Sequence, residues 1–113
     1  RFPVWSRQQN EKYDLLIYVA NWPQRRNFAW QTLLKARAIE NVSYVAAVNR
    51  IGIDGNGINH SGNSVVLDFM GNKLSKTKAS ATSVETITIS KNAIESFRKN
   101  FPVLNDADNF ELI

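Results

Sequence analysis

Two stretches of the chain are apolar at every position, Leu15-Leu16-Ile17-Tyr18-Val19-Ala20 and Tyr44-Val45-Ala46-Ala47-Val48. A half-exposed strand alternates apolar and polar residues. A run without alternation marks a strand covered on both faces. Between the two runs, Pro23 opens a helix, with Asn21 just ahead of it as a cap. The helix is predicted over residues 24–40, because Asn41 is a common stop and the β-branched Val42 begins the next strand. Two covered strands joined by one helix form a right-handed βαβ unit, so the expected fold class is α/β.

The same reading extends to both sides of this unit. Phe2 to about Gln9 is predicted as a short helix opened by Pro3, and Gln8 to Lys12 as its end and a polar connection. Ile51 to Gly62 reads as a loop with four glycines and an Asn56-Gly57 turn. A loop of that length in a compact domain is more often functional than idle. Ser64–Phe69 is a further strand, with a turn at Met70-Gly71-Asn72. Residues 74–80 and 84–89 are predicted to form an antiparallel pair whose second strand is half exposed, Ile87 and Ile89 sharing one face. Ser90 caps a last helix, from about Lys91 to Asn100, that turns Ile94 and Phe97 inward. Pro102 ends it. The tail from Val103 to Ile113 has no strong period, and its Phe110 and Leu112 call for burial against a partner surface.

The long helix carries an unusual face. Ala29, Trp30, Leu33, Leu34 and Ala36 form one apolar stripe at about 100° per residue, and Arg37 and Glu40 fall within it. Three positions apart, the two side chains can meet. The favoured reading is a structural ion pair that ties the helix to its neighbours. The sharper alternative places the pair at a subunit interface or beside an active site.

Composition narrows the choices. A chain of 113 residues makes one domain at most, with no internal boundary and no repeats. With 43% hydrophobic and 21% charged residues it has the makeup of a globular protein, and its longest apolar run is far too short to cross a bilayer. No membrane association is expected. There is no cysteine, which excludes disulfides and thiolate chemistry within these residues. The net charge of +4 raises the question of nucleic acid, but the basic residues are dispersed, without a stripe of interleaved aromatics, so no nucleic-acid partner is expected. Lys73, Lys76 and Lys78 read as edge-strand lysines that block sheet-to-sheet pairing.

The search for chemistry within the chain returns little. The spacing of Gly57, Gly62, Asn63 and Ser64 approaches a phosphate-binding loop, but Asn63 stands where a lysine is needed and a strand follows in place of a helix. His60 is the only histidine and has no cysteine beside it, so no metal site is expected and a loop histidine bonded to backbone is favoured. Neither an acid pair nor a nucleophile with an adjacent base is visible. Asn21 and Trp22 follow the end of a covered strand, where ligands gather in α/β sheets. They are the substrate-pocket candidates, with a core tryptophan as the equal alternative for Trp22.

The opening Arg1-Phe2-Pro3-Val4-Trp5-Ser6-Arg7 resembles the residues that follow the nucleophile in the nitrilase, or carbon–nitrogen hydrolase, superfamily. There the pattern is Cys-Tyr-Asp-Leu-Arg-Phe-Pro. Further matches follow in the family's order: Ala20-Asn21-Trp22-Pro23, Ala36-Arg37-Ala38-Ile39-Glu40-Asn41, Tyr44-Val45-Ala46, Asn49-Arg50, and Gly62-Asn63-Ser64 with Asp68 and Gly71. Phe101-Pro102-Val103-Leu104 and Asp106-Ala107-Asp108-Asn109-Phe110 resemble the omega-amidase branch. Each motif is weak alone, but their order and spacing over essentially the whole chain are specific.

The resemblance implies that residues 1–113 are the C-terminal half of a single carbon–nitrogen hydrolase domain with an α-β-β-α sandwich fold. It implies a cofactor-free cytoplasmic enzyme that cleaves small linear amides such as 2-oxoglutaramate through a Cys-Glu-Lys triad. Because all three triad residues would lie upstream of Arg1, no catalytic residue is expected in this chain and the chain alone is expected to be inactive. The expected partners are the amide substrate, the N-terminal half of the same protein and a second copy in a homodimer. The alternative is a non-catalytic protein-interaction domain with the same α/β layers.

Overall fold

A computed structural model describes residues 1–9 and 12–113. The part of the predicted connection that falls on Asn10 and Glu11 lies outside the described residues. The strands are β1 (Leu15–Ala20), β2 (Tyr44–Asn49), β3 (Ile51–Ile53), β4 (Asn59–Ser61) and β5 (Val65–Leu67). The helices are α1 (Asn27–Asn41) and α2 (Lys91–Asn100), with 3-10 turns at Pro3–Ser6, Gln24–Arg26 and Val103–Asp106.

β1 and β2 pair in parallel, Leu15 opposite Tyr44 through Ala20 opposite Asn49, with α1 as the crossover. This is the predicted βαβ unit. β5 adds to the other edge of β2 in antiparallel sense, giving the order β1-β2-β5. On the face toward α1, Val45, Ala47 and Leu67 meet Trp30, Leu34 and Ala38 in one buried cluster, with Leu16, Tyr18, Trp22 and Val65 packed around it.

The other face of the sheet departs from the expectation of double cover. Ile17, Val19 and Val48 are 64%, 86% and 57% exposed. Within the described residues β1 is covered on one side only, although its sequence is apolar on both.

The helical reading needs three corrections. The first residues after Pro23 form a 3-10 turn, and α1 begins at Asn27 with neither Asn21 nor any other side chain as its cap. The buried stripe runs through Trp30, Leu34, Arg37, Ala38 and Asn41, whereas Glu40 lies at its edge. The helix ends one residue later than predicted. Asn41 is its last residue and Val42 takes the left-handed conformation, φ 43° and ψ 57°, which a β-branched residue rarely adopts. Arg98 of α2 holds it there: its Nε and Nη2 donate to the Val42 carbonyl at 3.1 and 2.8 Å, and its Nη1 donates to Asp14 at 2.7 Å.

Two segments exchange the conformations expected of them. The glycine loop contains a hairpin, β3 against β4. Asp54 organises its turn by accepting the N–H groups of Asn56 and Ile58 at 2.9 and 3.0 Å. The predicted strands 74–80 and 84–89 are irregular, apart from a single bridge between Leu67 and Lys73 just ahead of them. Side-chain hydrogen bonds hold this segment instead. Both Glu85 carboxylate oxygens accept the Lys76 N–H at 2.9 Å, and the Ser75 hydroxyl accepts the Val66 N–H at 3.0 Å.

The N-terminal turn is shorter than predicted, with Pro3 in its first turn. α2 follows the prediction closely: Ser90 Oγ accepts the Ala93 N–H at 3.1 Å, Ile94 is buried and Phe97 half-buried. In the tail, Phe110 is 47% exposed beneath the Arg7 guanidinium, while Leu112 lies open.

Candidate functional site

The two pocket candidates meet in one cleft of about 340 Å³ at the C-terminal end of β1, walled by Tyr18, Asn21, Trp22, Trp30, Leu33, Arg37 and Arg1. Trp22 packs on Trp30 with ring centroids 5.7 Å apart, so it belongs to the edge of the core and to the cleft wall at once. Trp30 is fixed in turn by its Nε1–H, which donates to the Asn63 carbonyl at 3.0 Å. The Arg1 guanidinium lies over the Trp22 ring, 5.0 Å from its centroid, a cation–π contact.

Arg37 connects helix and cleft. Its Nη1 donates to Glu40 Oε1 at 2.8 Å, and its Nη2 donates to the Arg1 carbonyl at 2.7 Å. The two ends of the ion pair differ sharply: the Arg37 side chain is 6% exposed and that of Glu40 is 42% exposed. Of the ion pair expected from the sequence, only the arginine is buried. The contact that leaves the helix is the one from Arg37 to Arg1.

Asn49 is the site residue that periodicity could not find. Its side chain is buried at the end of β2, where Oδ1 accepts the Trp22 N–H at 2.7 Å and Nδ2 donates to the carbonyls of Trp22 and Gly62, each at 3.0 Å. One amide thus clamps the peptide groups on both sides of Trp22. The signal available in the sequence is a polar residue ending an otherwise apolar strand. Gly62 has φ +68°, and a Cβ there would stand 2.7 Å from Ile51 Cγ2, so the close approach to Asn49 needs glycine. Ser64 completes the corner by accepting the Asn49 N–H at 3.0 Å.

This cleft can bind, since it offers a stacking ring, an amide and cationic groups. Its lining holds no nucleophile with a base beside it. Among the described residues no cluster of His, Cys, Asp or Glu is arranged to hold a metal. His60 lies buried on β4, its Nδ1 3.0 Å from the Ile58 carbonyl and away from the cleft lining, in the backbone-bonded role favoured above. No helix of the described chain is long and apolar enough to cross a membrane.

The carbon–nitrogen hydrolase profile matches residues 1–99. The omega-amidase YafV of Yersinia enterocolitica is 47% identical over 113 residues, which cover 100% of this chain and 44% of that protein. The 2-oxoglutaramate amidase of Paenarthrobacter nicotinovorans is 36% identical over 107 residues, covering 94% of this chain and 36% of that protein. The crystal structure of XC1258 from Xanthomonas campestris, described as a CN-hydrolase superfamily protein, superposes with a TM-score of 0.92 at 43% identity, over 99% of this chain and 44% of that one. The chain thus spans less than half the length of these relatives. On the strength of a match over nearly its whole length, in sequence and in fold, this chain belongs to the carbon–nitrogen hydrolase family.

Proposed function

We propose that residues 1–113 form the C-terminal half of an omega-amidase-like hydrolase domain and contribute the wall of its substrate pocket. The observation that carries this reading is the position of Arg1. Its carbonyl is held by Arg37 and its guanidinium lies on Trp22, so the arginine that matches the family's Arg-Phe-Pro stands in the cleft wall. In the family pattern Cys-Tyr-Asp-Leu-Arg-Phe-Pro, the chain ahead of that arginine leads to the nucleophile. A Cys thiolate there would attack the amide carbonyl carbon, with a Glu as general base and acid and a Lys stabilising the oxyanion. Ammonia would leave, and water would then release the acid from the thioester. All three groups belong to the upstream half.

The substrate class follows from the relatives and the cleft together. The names omega-amidase and 2-oxoglutaramate amidase point to small linear amides of dicarboxylic acids. The Arg1 guanidinium in the cleft wall suits a ligand whose far end is a carboxylate, whereas Arg37 is taken up by Glu40 and the Arg1 carbonyl. Trp22 would flank the carbon chain, held in place by Asn49, and Asn21 would offer its amide.

The α-β-β-α sandwich belongs to the same proposal. Its support is the exposed face of Ile17, Val19 and Val48, which an opposing sheet from the upstream half would cover. The interaction-domain alternative would use the same face, but identity to amidases along the full chain favours the hydrolase.

Kinetics on the polypeptide that carries the whole upstream half ahead of Arg1, the Cys-Tyr-Asp-Leu segment included, test the assignment. Trp22→Ala should raise KM for 2-oxoglutaramate far more than it lowers the melting temperature. Unchanged kcat and KM in that variant would remove Trp22 from the pocket.

A further inference from the structure

A second cleft, of about 380 Å³, lies between the outward side of α1 and the segment that follows β5. Four lysines line it: Lys35 from α1, and Lys73, Lys76 and Lys78 from the segment. No aspartate or glutamate is in the lining. Among the described residues, none of the four is salt-bridged to a carboxylate. A space of that volume is roughly 7–9 Å across, comparable to the Debye length of about 8 Å at physiological ionic strength. The four charges therefore act on one another and on any single ligand among them.

The lysine-bearing segment is held in place, although it forms no strand. Glu85 turns both oxygens to the Lys76 N–H, and one of them also accepts the Thr77 hydroxyl at 3.0 Å. Lys73 Nζ donates to the Thr77 carbonyl at 3.1 Å, and the Leu74 N–H donates to the Val66 carbonyl at 2.8 Å. Val65 and Leu67 form the floor, on the sheet face that α1 covers. A partner on the opposite, exposed face would leave this cleft open.

We propose that this lysine cleft binds a compact multivalent oxyanion, a small molecule bearing phosphate groups or several carboxylates. Four lysines lining one pocket match that chemistry, the nearby Glu85 carboxylate being turned to the Lys76 N–H and the Thr77 hydroxyl. The lining holds no aromatic ring on which a nucleic-acid base could stack, so a small anion fits better than an oligonucleotide.

Titration calorimetry on the polypeptide that carries the upstream half ahead of Arg1 tests this, with pyrophosphate as the phosphate probe and citrate as the polycarboxylate probe, each against sodium chloride of matched ionic strength. A saturable one-to-one isotherm with either probe is expected, and the tighter of the two identifies the source. Substituting Lys73→Gln, Lys76→Gln and Lys78→Gln together should weaken binding about thirtyfold, at about threefold per exposed charge. Lys35→Gln, on a different element, should weaken it about threefold and serves if the triple variant does not fold. The proposal is overturned by the absence of saturable heat, by heat that sodium chloride reproduces, by lysine variants that bind as tightly as the parent, or by an oligonucleotide that binds more tightly than both probes.

Discussion

Removing either end of the Arg37–Glu40 pair should have very different consequences. Two fully buried partners would each cost about 3–5 kcal/mol to remove, because the survivor would be left as an uncompensated charge. Here the Glu40 side chain is 42% exposed and the pair is an i,i+3 contact on one helix. Such contacts are worth about 0.3–0.5 kcal/mol, and a glutamine keeps an oxygen for Arg37 Nη1 to donate to. Glu40→Gln leaves the buried Arg37 guanidinium without its carboxylate, but the glutamine oxygen and the Arg1 carbonyl still accept from it, so the expected cost is about 1 kcal/mol. Arg37 is 6% exposed, buries its aliphatic stem against α1's neighbours and donates a charged hydrogen bond to the Arg1 carbonyl at 2.7 Å. A hydrogen bond from a charged donor contributes about 1.5–3 kcal/mol, so Arg37→Ala should cost about 2–4 kcal/mol with the lost packing included. Urea unfolding followed by tryptophan fluorescence reads both values. Equal losses in the two variants would show that Glu40 is buried in the working protein and that the asymmetry of the pair is wrong. If Glu40→Gln left stability unchanged but abolished amide hydrolysis in the longer polypeptide, the pair would belong to the active site and not to the scaffold.

Three further outcomes are expected. Asn49→Ala should cost about 2–4 kcal/mol, since it removes three hydrogen bonds worth about 1 kcal/mol each and leaves buried groups unpaired; near-ultraviolet circular dichroism of Trp22 should change with it, and an unaltered spectrum would refute the clamp. Burial pushes the Tyr13 hydroxyl up from 10.0 to about 12, so its contribution to stability is complete below pH 10 and is lost as pH rises through 12; the ultraviolet titration of Tyr13, isolated by difference from a Tyr13→Phe variant, should lie near 12, and a Tyr13 transition near 10 in the folded protein would contradict this. By itself the chain should self-associate at micromolar concentration, because several hundred Å² of exposed apolar sheet corresponds to on the order of 10 kcal/mol, comparable to the roughly 5–15 kcal/mol of a whole domain; a sharp 12.8 kDa monomer in sedimentation would refute it.

What can be read from the sequence is what local periodicity controls. The βαβ unit is legible because LLIYVA and YVAAV lack any polar position and a helix fits between them. The same pattern overstates the cover: Ile17 and Val19 are exposed, and within the described residues only the α1 side of β1 is packed. The failures lie where side chains override backbone propensity. Val42 has the composition of a strand start, yet it is a helix stop, because Arg98, 56 residues away in sequence, pins its carbonyl. Residues 74–89 are strand-like in composition, but the Lys76 N–H is taken by the Glu85 carboxylate, and the Ser75 hydroxyl accepts the Val66 N–H of β5. The loop at 51–62 folds into a hairpin around Asp54, an Asx turn whose signal is present but is outweighed by the glycines. In the cleft, Asn21 and Trp22 are found by their place at a strand end, whereas Asn49 and Arg1 act through contacts that no spacing rule connects.

If residues 1–113 supply pocket wall, and not the reacting groups, of a carbon–nitrogen hydrolase, they should have no activity of their own. Ammonia release from 2-oxoglutaramate decides this, comparing residues 1–113 alone with the polypeptide that carries the whole upstream half, Cys-Tyr-Asp-Leu included, ahead of Arg1. The expected result is no ammonia above buffer from residues 1–113 alone, turnover from the longer polypeptide, and loss of that turnover when the cysteine of that segment is replaced by alanine. Turnover by residues 1–113, in a preparation free of the longer polypeptide, would show that the reacting groups lie within them.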